Sequence, residues 1–229
     1  MTGTLINMGT VLLGGALGLL FGNRLPERLK QTVVAGLGLF TAAYGLHLFL
    51  KTENALIVLG SLLVGALLGE WGRIEDGLQR LGSWLEQKFA RGSQEGSQFV
   101  RGFLVASLLF CVGPMTILGS IQDGLSGDYS ILFTKAILDG FAALAFASTF
   151  GIGVLFSVLV IFTYQGGISL LAAQLDQVIS VSMMTEMTAT GGIILLGIAV
   201  SSLLEIRQIR VGNFLPALFV APLLAGLLK

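Results

Sequence analysis

Long apolar stretches separated by short polar connections make up most of this chain. A transmembrane α-helix needs about 20 mainly apolar residues to cross roughly 30 Å of hydrocarbon. By that measure the sequence predicts eight spans, at 4–22, 32–50, 55–71, 100–120, 131–150, 152–172, 187–204 and 213–228. The pattern therefore predicts an all-α fold, a polytopic transmembrane helical bundle. Its main partner would be the lipid bilayer that surrounds it.

The basic residues fall on one side of this arrangement. Lys and Arg gather in short cytoplasmic loops of membrane proteins. Those that follow the first, third and seventh spans are Arg24, Arg28, Lys30, Arg73, Arg80, Lys88, Arg91, Arg101, Arg207 and Arg210. The connections at 52–54, 122–129 and 174–186 are neutral or acidic. This asymmetry predicts that both termini lie outside the cytoplasm.

One polar connection is long enough to have structure of its own. Between residues 73 and 89 apolar side chains recur near helical spacing with charges between them, as in a helix that lies on a membrane surface. Residues 91–98 are predicted to be a flexible link. Such a helix could orient the two halves of the protein or recruit a partner.

The two ends of the chain resemble each other. Each has a Gly-rich span, a short amphipathic connection and two further spans. A duplication would divide the chain into a first three-span repeat (1–72), the cytoplasmic connection (73–98), a central two-span insert (99–150) and a second repeat (151–229). Five spans separate the two starts, so the copies would be inverted, a design that recurs in secondary transporters. Low-complexity membrane sequence also produces such likenesses by chance.

Composition narrows the function classes. The chain has 229 residues, 54% of them hydrophobic and 11% charged, and a mean hydropathy of +0.89. Net charge is zero and no basic face stands out, which argues against nucleic-acid binding. A single cysteine and a single histidine offer neither a metal cluster nor a nucleophilic constellation. We expect no cofactor and no enzymatic activity.

Two ionisable residues lie inside the fifth predicted span. Lys135 and Asp139 are four residues apart and share one helical face, about 7 and 13 Å below Ser130 at a rise of 1.5 Å per residue. Lys135 can extend its amine towards the interface, whereas Asp139 is too short and too deep to do so. The pair could simply neutralise itself within the bundle. Alternatively, Asp139 is a carboxylate whose charge state changes during transport.

A helix-breaking segment interrupts the fourth span. Pro114 removes a backbone donor and would leave the carbonyl of Phe110 free to bind a cation or a hydroxyl, unless a nearby hydroxyl satisfies it. Residues 119–128 follow, with Gln122 and Asp123 among flexible residues. They could form a re-entrant turn that lines an aqueous vestibule, or an ordinary outer loop.

A second glycine-rich segment begins the seventh span. Glu186 and Thr190 precede Gly191 and Gly192. A broken helix starting here would direct backbone amides at an anionic group. Alternatively, Glu186 only caps the first turn of the span.

Small residues and amides complete the set of candidates. Glycines at four-residue spacing in spans one and three let helices approach closely, within one protomer or in a homodimer. Asn7 and Asn213 are amides that could pair with a substrate or with another helix.

The sequence resembles a known family over nearly its whole length. The likeness rests on "GTLINMGTVLLGGALGLLFG", "GLGLF", "ASLLFCVGPMTILGSIQDGLSGDYSILFTKAILDG", "ATGGIILLGI" and "NFLPAL". It is similar to the bacterial membrane family known as domain of unknown function 554, or YdfK/YqgA. The resemblance implies an integral inner-membrane protein with a suspected role in transport, and it brings no binding residues.

These observations predict a secondary transporter with a midplane site formed by spans four, five and seven. Its cargo would be a small polar solute or a monovalent cation. A passive channel or a structural membrane subunit remains the alternative.

Overall fold

The computed structural model describes residues 1–22, 25–89, 96–176 and 179–228. Within these ranges the chain is helical and contains no β-strand. The α-helices are α1 (Thr2–Gly22), α2 (Glu27–Phe49), α3 (Ala55–Gly72), α4 (Ile74–Phe89), α5 (Gly96–Cys111), α6 (Pro114–Ser126), α7 (Ser130–Phe150), α8 (Ser157–Leu170), α9 (Ala172–Asp176), α10 (Val181–Ile198) and α11 (Ala217–Leu227). A 3₁₀-helix joins α7 to α8 at Gly151–Phe156, a π-helical turn extends α10 over Ala199–Leu203, and a 3₁₀-helix at Val211–Phe214 precedes α11. The all-α fold is confirmed.

The number of spans is the main difference from the sequence-based hypothesis. Five helical runs in the described part of the chain are long and apolar enough to cross a membrane: Thr2–Gly22, Glu27–Phe49, Ala55–Gly72, Ser130–Leu170 and Val181–Leu203. The pair Gln98–Cys111 and Met115–Ser126, bent by 61°, makes a sixth if it is one broken span. Predicted spans five and six together form the 41-residue run Ser130–Leu170, and predicted span eight is the shorter apolar segment Val211–Leu227. The structure does not confirm eight spans.

By their contacts the described residues form two compact units. Unit 1 comprises Met1–Ala35, Gln79–Cys111 and Met115–Gln177, and unit 2 comprises Gly36–Leu78, Val112–Pro114 and Val178–Lys229. The units are interleaved along the chain, whereas the predicted repeats follow one another in sequence. The inverted duplication stays a prediction.

Unit 1 is organised around α1. Gly14 of α1 lies against Gly140 of α7, and Gly18 lies against Leu144, so the two helices run in the same direction. A side chain at either of these α1 glycines would overlap a carbonyl oxygen of α7, which is why glycine is required there. The neighbour of Gly15 is Leu155, in the short 3₁₀-helix that precedes α8.

The chain reverses direction between α7 and α8. Gly151, at the end of α7, has a φ of 77°, a left-handed conformation that glycine adopts without strain. As a result α8 runs antiparallel to α1, with its residue 165 beside residue 7 and its residue 166 beside residue 1. Two spans joined by a tight turn would reverse direction in this way. By length and hydropathy alone, however, Ser130–Leu170 counts as one run.

Unit 2 repeats the same kind of close helix packing with other partners. Here α3 runs antiparallel to the segment that ends in α11, and α2 runs antiparallel to α10. The contacts are Gly65 with Ala217, Gly69 with Asn213, Gly38 with Leu204 and Gly45 with Gly192. The glycine faces in both units therefore contact segments of the same chain. A homodimer through these faces stays a prediction.

The amphipathic connection is helical, as α4. Its Leu85 is 2% exposed and packs with Phe99 and Phe103, whereas Trp84 is 53% exposed and Phe89 is 57% exposed. Lys88 lies 5.0 Å from the centre of the Trp84 ring. Arg24, Arg91 and most of the predicted flexible link at 91–98 lie outside the described residues.

Candidate functional site

The ionisable pair on α7 is buried inside unit 1. Lys135 is 6% exposed and Asp139 is 9% exposed. One turn of helix separates them, so the Lys135 ammonium reaches Asp139 Oδ2 and forms an ion pair with it. The centre of the Phe110 ring lies 6.0 Å from Lys135 Nζ, at the outer limit for a cation–π contact. The structure therefore brings three predicted site residues, Lys135, Asp139 and Phe110, close together.

A chain of hydrogen bonds extends this pair to two other helices. Asn7 Nδ2 on α1 donates to Asp139 Oδ2 at 3.0 Å and to Gln165 Oε1 on α8 at 3.1 Å. Gln165 Nε2 in turn donates to Thr4 Oγ1 at 3.3 Å. We call Thr4, Asn7, Lys135, Asp139 and Gln165 the polar network. It joins α1, α7 and α8 in the interior of unit 1.

One acceptor oxygen of the polar network is buried and receives no hydrogen bond from the described residues. It is Asn7 Oδ1, and the Asn7 side chain as a whole is 0% exposed. Asp139 accepts both of its hydrogen bonds on Oδ2. A buried polar atom without a partner costs about 1–3 kcal/mol, so such atoms mark places where a ligand or an ordered water supplies the missing bond.

More buried polar atoms of this kind occur on the helices around the network. Within the described part of unit 1, hydroxyl oxygens without a partner belong to Ser107, Ser120, Tyr164 and Ser169. Together with Asn7 Oδ1 they place several hydrogen-bonding groups inside the hydrocarbon-facing bundle. Ordered water molecules would satisfy such groups.

The carbonyl of Phe110 is not free. Thr116 Oγ1 donates to Phe110 O at 3.2 Å, so a nearby hydroxyl supplies a hydrogen bond to this carbonyl at the break between α5 and α6. Pro114 is the first residue of α6, where the missing amide proton is not needed. The sequence left two alternatives for this carbonyl, and the structure shows the one in which a nearby hydroxyl satisfies it; a ligand on this carbonyl stays a prediction.

Asp123, at the end of α6, is held at the beginning of α1. It is 3% exposed, its Oδ2 accepts from the amide of Gly3 at 3.1 Å, and the amino nitrogen of Met1 lies 3.1 Å away. Asp123 Oδ1 is buried without a partner. The carboxylate thus neutralises the positive end of the α1 dipole.

Residues 119–128 belong mostly to α6 and only at their end to a loop. Gln122 Nε2 donates to Asp128 Oδ2 at 2.7 Å, and Asp128 Oδ1 accepts from the amide of Ser130 at 3.0 Å. The hydrogen bond from the Ser130 amide holds the pKa of Asp128 below its usual value of 3.8. Gln122 therefore closes the turn between α6 and α7, and nothing places it in the polar network.

The residues predicted in the seventh span belong to unit 2. Helix α10 begins at Val181, with Ser180 as its N-cap, and continues without a break through Gly191 and Gly192. The prediction of a broken helix that starts at these glycines is wrong, because their small size instead permits contact with α2 and α11. Thr190 is 0% exposed and its hydroxyl has no partner.

Glu186 caps a neighbouring helix and not its own. It is 1% exposed, and it accepts from Thr52 Oγ1 at 2.6 Å and from the amides of Glu53 and Asn54 at 2.8 and 3.1 Å. These groups lead into α3, whose N-cap is Asn54. Because α10 starts five residues earlier, the sequence-based interpretation of Glu186 as a first-turn cap of span seven was wrong.

Unit 2 also contains a polar cluster and an apolar cavity. Asn213 Nδ2 donates to Glu70 Oε2 at 2.5 Å, Asn213 Oδ1 accepts from the amide of Glu75 at 2.8 Å, and Arg210 lies 2.9 Å from Glu70 Oε1. Asn213 therefore joins chain segments, one of the two roles expected for it. The cavity, of about 270 Å³ and bordered by side chains such as Leu62 and Ile194, has almost no polar lining.

Sequence reasoning missed two members of the polar network. Gln165 is 1% exposed inside the apolar run of α8, and Thr4 is 0% exposed at the start of α1. An amide in the middle of an apolar span was a signal that could have identified Gln165. No group of three or more potential metal ligands occurs among the described residues. Because the candidates on α10 fall in the other unit, one site formed by spans four, five and seven stays a prediction.

Comparison with known proteins gives a consistent result. The family model for a protein of unknown function, DUF554, matches residues 2–226. The chain is 30% identical over 226 residues to the uncharacterized membrane protein YdfK of Bacillus subtilis (strain 168), covering 97% of this chain and 94% of the relative. It is 34% identical over 221 residues to the uncharacterized protein YqgA of Escherichia coli (strain K12), covering 96% and 94%. No solved structure gives a significant match.

These matches extend over almost the whole chain, and one relative carries the name of a membrane protein, as the apolar helices require. This chain is therefore a membrane protein and belongs to the DUF554 family of proteins of unknown function.

Proposed function

We propose that this protein is a secondary transporter of a small polar solute or ion, located in the bacterial inner membrane, and that its site is the polar network of unit 1. The observation that carries the proposal is the Lys135–Asp139 pair, buried in an apolar bundle and joined through Asn7 to Gln165. A charged side chain at the centre of a bilayer costs roughly 2.5–3.5 kcal/mol on insertion scales, so a retained pair usually has a function.

The unsatisfied acceptors support a binding role over a purely structural one. A structural ion pair is best stabilised when all of its remaining hydrogen-bonding atoms have partners. Here Asn7 Oδ1 lacks a donor, although the Asn7 side chain is fully buried and contacts Asp139. A polar cargo would supply the missing hydrogen bonds while it crosses the membrane.

Catalysis is a weaker explanation, and we propose that the protein is not an enzyme. Cys111 is buried, and His47 is next to the ring of Tyr44, at 6.5 Å between ring centres. Neither residue has a described hydrogen bond to an activating acid or base, as a nucleophilic site requires.

The proposal is tested with the purified full-length chain in lipid vesicles. Uptake of Na⁺, K⁺, ammonium, amino acids and small organic acids is measured against protein-free vesicles. Saturable uptake of one of them is expected, and Asp139→Asn should reduce it to the level of protein-free vesicles. Asp128→Asn is the matched control, because it makes the same chemical change at an exposed carboxylate.

Folding of the variants must be measured together with flux. Removing one member of a buried ion pair costs about 3–5 kcal/mol, since the other charge is left alone. The double variant Lys135→Met with Asp139→Asn removes both charges and should fold, yet carry nothing. Full uptake by a folded double variant would exclude the polar network as the site, and a steady, non-saturating conductance would indicate a channel.

A further inference from the structure

The most informative feature of the polar network is that a cation already occupies it. The Lys135 ammonium sits on Asp139 Oδ2, with the face of Phe110 in range on another side. An ammonium group is thus the chemical species that this carboxylate accepts in the structure. Lys135 is 6% exposed and Asp139 is 9% exposed, and a cargo that binds Asp139 Oδ2 would take the place of the lysine head group.

The acceptor oxygens of the polar network indicate what the cargo brings. Asn7 Oδ1, which lacks a partner, and Asp139 Oδ2, which holds the lysine ammonium, are both acceptors, so a cargo would bring N–H or O–H donors to them. An ammonium carries several such donors and one positive charge, which matches a carboxylate and an amide oxygen together. An anionic cargo would meet these two oxygens with like charge or with lone pairs.

The side chain of Lys135 is long enough for its ammonium group to move away from Asp139. It lies five residues from the beginning of α7, about 7 Å along the helix, and its four-carbon chain can carry the ammonium towards the interface. Asp139 lies about 13 Å from the beginning of α7 along the helix, and its side chain is too short to reach the interface. When the Lys135 ammonium moves away, Asp139 becomes free to bind another cation. The ammonium is then hydrated at the interface.

Other charged groups near the pair are engaged elsewhere or carry no charge in their ordinary forms. Arg101 of α5 lies 4.8 Å from the Phe150 ring, and Asp123 of α6 is bound at the start of α1. Cys111 and Tyr164 are a thiol and a phenol. Among the described residues of unit 1, Lys135 is therefore the cation that competes for Asp139.

From this geometry we infer that Lys135 is a tethered competitor of the cargo, and that the cargo is a small cation bearing an ammonium group. The inference rests on the proposed function and names its substrate class. In the empty protein Lys135 neutralises Asp139, so that the unloaded site can return across the membrane. In the loaded protein the cargo ammonium takes the place of the lysine, and Asn7 Oδ1 accepts one of its N–H groups.

The inference predicts a separation between exchange and net uptake. Labelled methylammonium serves as the probe, with the purified chain in vesicles at pH 6 and with protein-free vesicles as the baseline. Net uptake is measured in empty vesicles and exchange in vesicles preloaded with unlabelled methylammonium. Lys135→Met should lower the KM for exchange about tenfold, because the competitor is gone. It should also abolish net uptake, because the empty site then carries an uncompensated carboxylate.

Lys135→Arg distinguishes competition from packing. Arginine keeps the ion pair and the fold, and its two-pronged contact with a carboxylate is stronger, so the KM should rise while net uptake continues. If neither variant changes the KM, Lys135 only packs the bundle and the inference is wrong. This pair of variants decides the question even if Lys135→Met fails to fold.

The choice of probe separates failure of the inference from failure of the proposed function. Saturable transport of Na⁺, of an uncharged solute or of an anion, without transport of methylammonium, would overturn the substrate class and leave a transporter. Absence of transport for every probe would remove both proposals.

Discussion

Glu186 and Asp139 are two buried carboxylates that are held in opposite ways. Asp139 has a cationic side chain as its partner, whereas Glu186 accepts two backbone amides and one hydroxyl from the connection that leads into α3. Backbone donors cannot move away from Glu186 as a lysine side chain can. We therefore expect Glu186 to contribute to stability, whereas Asp139 remains the residue on which the proposed function rests.

The role of Glu186 leads to a prediction about stability. In Glu186→Gln an NH₂ group replaces the oxygen that accepts from the Thr52 hydroxyl, so this hydrogen bond is lost or reversed, and the charge that strengthens the hydrogen bonds from the two amides is lost. The free energy of unfolding should fall by about 2 kcal/mol. Thermal unfolding in detergent measures the change. The control is Glu53→Gln, an exposed acid of the same connection; equal melting temperatures for the two variants would contradict the assignment.

At the scale of single residues, the sequence predicts partners on one helix far better than partners on different helices. Lys135 and Asp139 are four apart, so helical geometry alone brings them together. Asn7 and Asp139 are 132 positions apart, and Asn7 and Gln165 are 158 apart. No local pattern encodes such contacts, because they depend on which helix faces pack.

Contact between α1 and α7 is the element-level feature that builds the site. It depends on glycines that let two backbones touch, which brings the short side chain of Asn7 within reach of Asp139. A larger residue at the contact would separate the helices. The polar network would then lose its link between α1 and α7.

Two glycines of α1 provide a matched test of this packing. A side-chain carbon added at Gly14 would overlap the backbone of Gly140, whereas one added at Gly9 meets nothing within 4 Å. Gly14→Ala should therefore lower the melting temperature and weaken transport. Gly9→Ala should be neutral or stabilising by up to about 1 kcal/mol, the usual gain in helix propensity. Equal behaviour of the two variants would show that α1 and α7 do not pack in this way.

Helices were easier to predict than their ends. The apolar runs located the spans, but α10 begins six residues before the predicted start, because polar residues such as Thr185 and Glu186 hid its first turns. The turn after Phe150 and the break near Pro114 were both visible as glycine or proline in an apolar run. The 61° bend between α5 and α6 was not, since direction after a break depends on tertiary contacts.

For the whole molecule, helix directions within each unit agree with the alternating orientation that eight spans would have, although the count itself is not confirmed. Helices α1 and α7 are parallel, and they correspond to predicted spans one and five. Helix α2 is antiparallel to α10, as predicted spans two and seven should be. Helix α3 is antiparallel to the segment that ends in α11, as predicted spans three and eight should be. Hydropathy could not fix the count, because the run Ser130–Leu170 has no polar connection.

Orientation in the membrane can be measured by cysteine labelling. In a Cys111→Ala background, Glu53→Cys places a thiol in an acidic connection and Arg80→Cys places one on the basic helix α4, both at exposed positions. A membrane-impermeant maleimide applied to spheroplasts should label Glu53→Cys, and should label Arg80→Cys only after permeabilisation. The reverse pattern would place both termini in the cytoplasm.

The glycine contact between α1 and α7 also restricts how the protein can move. Because the two backbones pack in direct contact, α1 and α7 cannot slide past each other without separating first. We therefore expect these two helices to move as one rigid body. For the proposed transporter we therefore predict that α8 moves relative to α1 and α7, bending near Gly151, and that the hydrogen bond between Asn7 and Gln165 breaks when Asp139 becomes accessible.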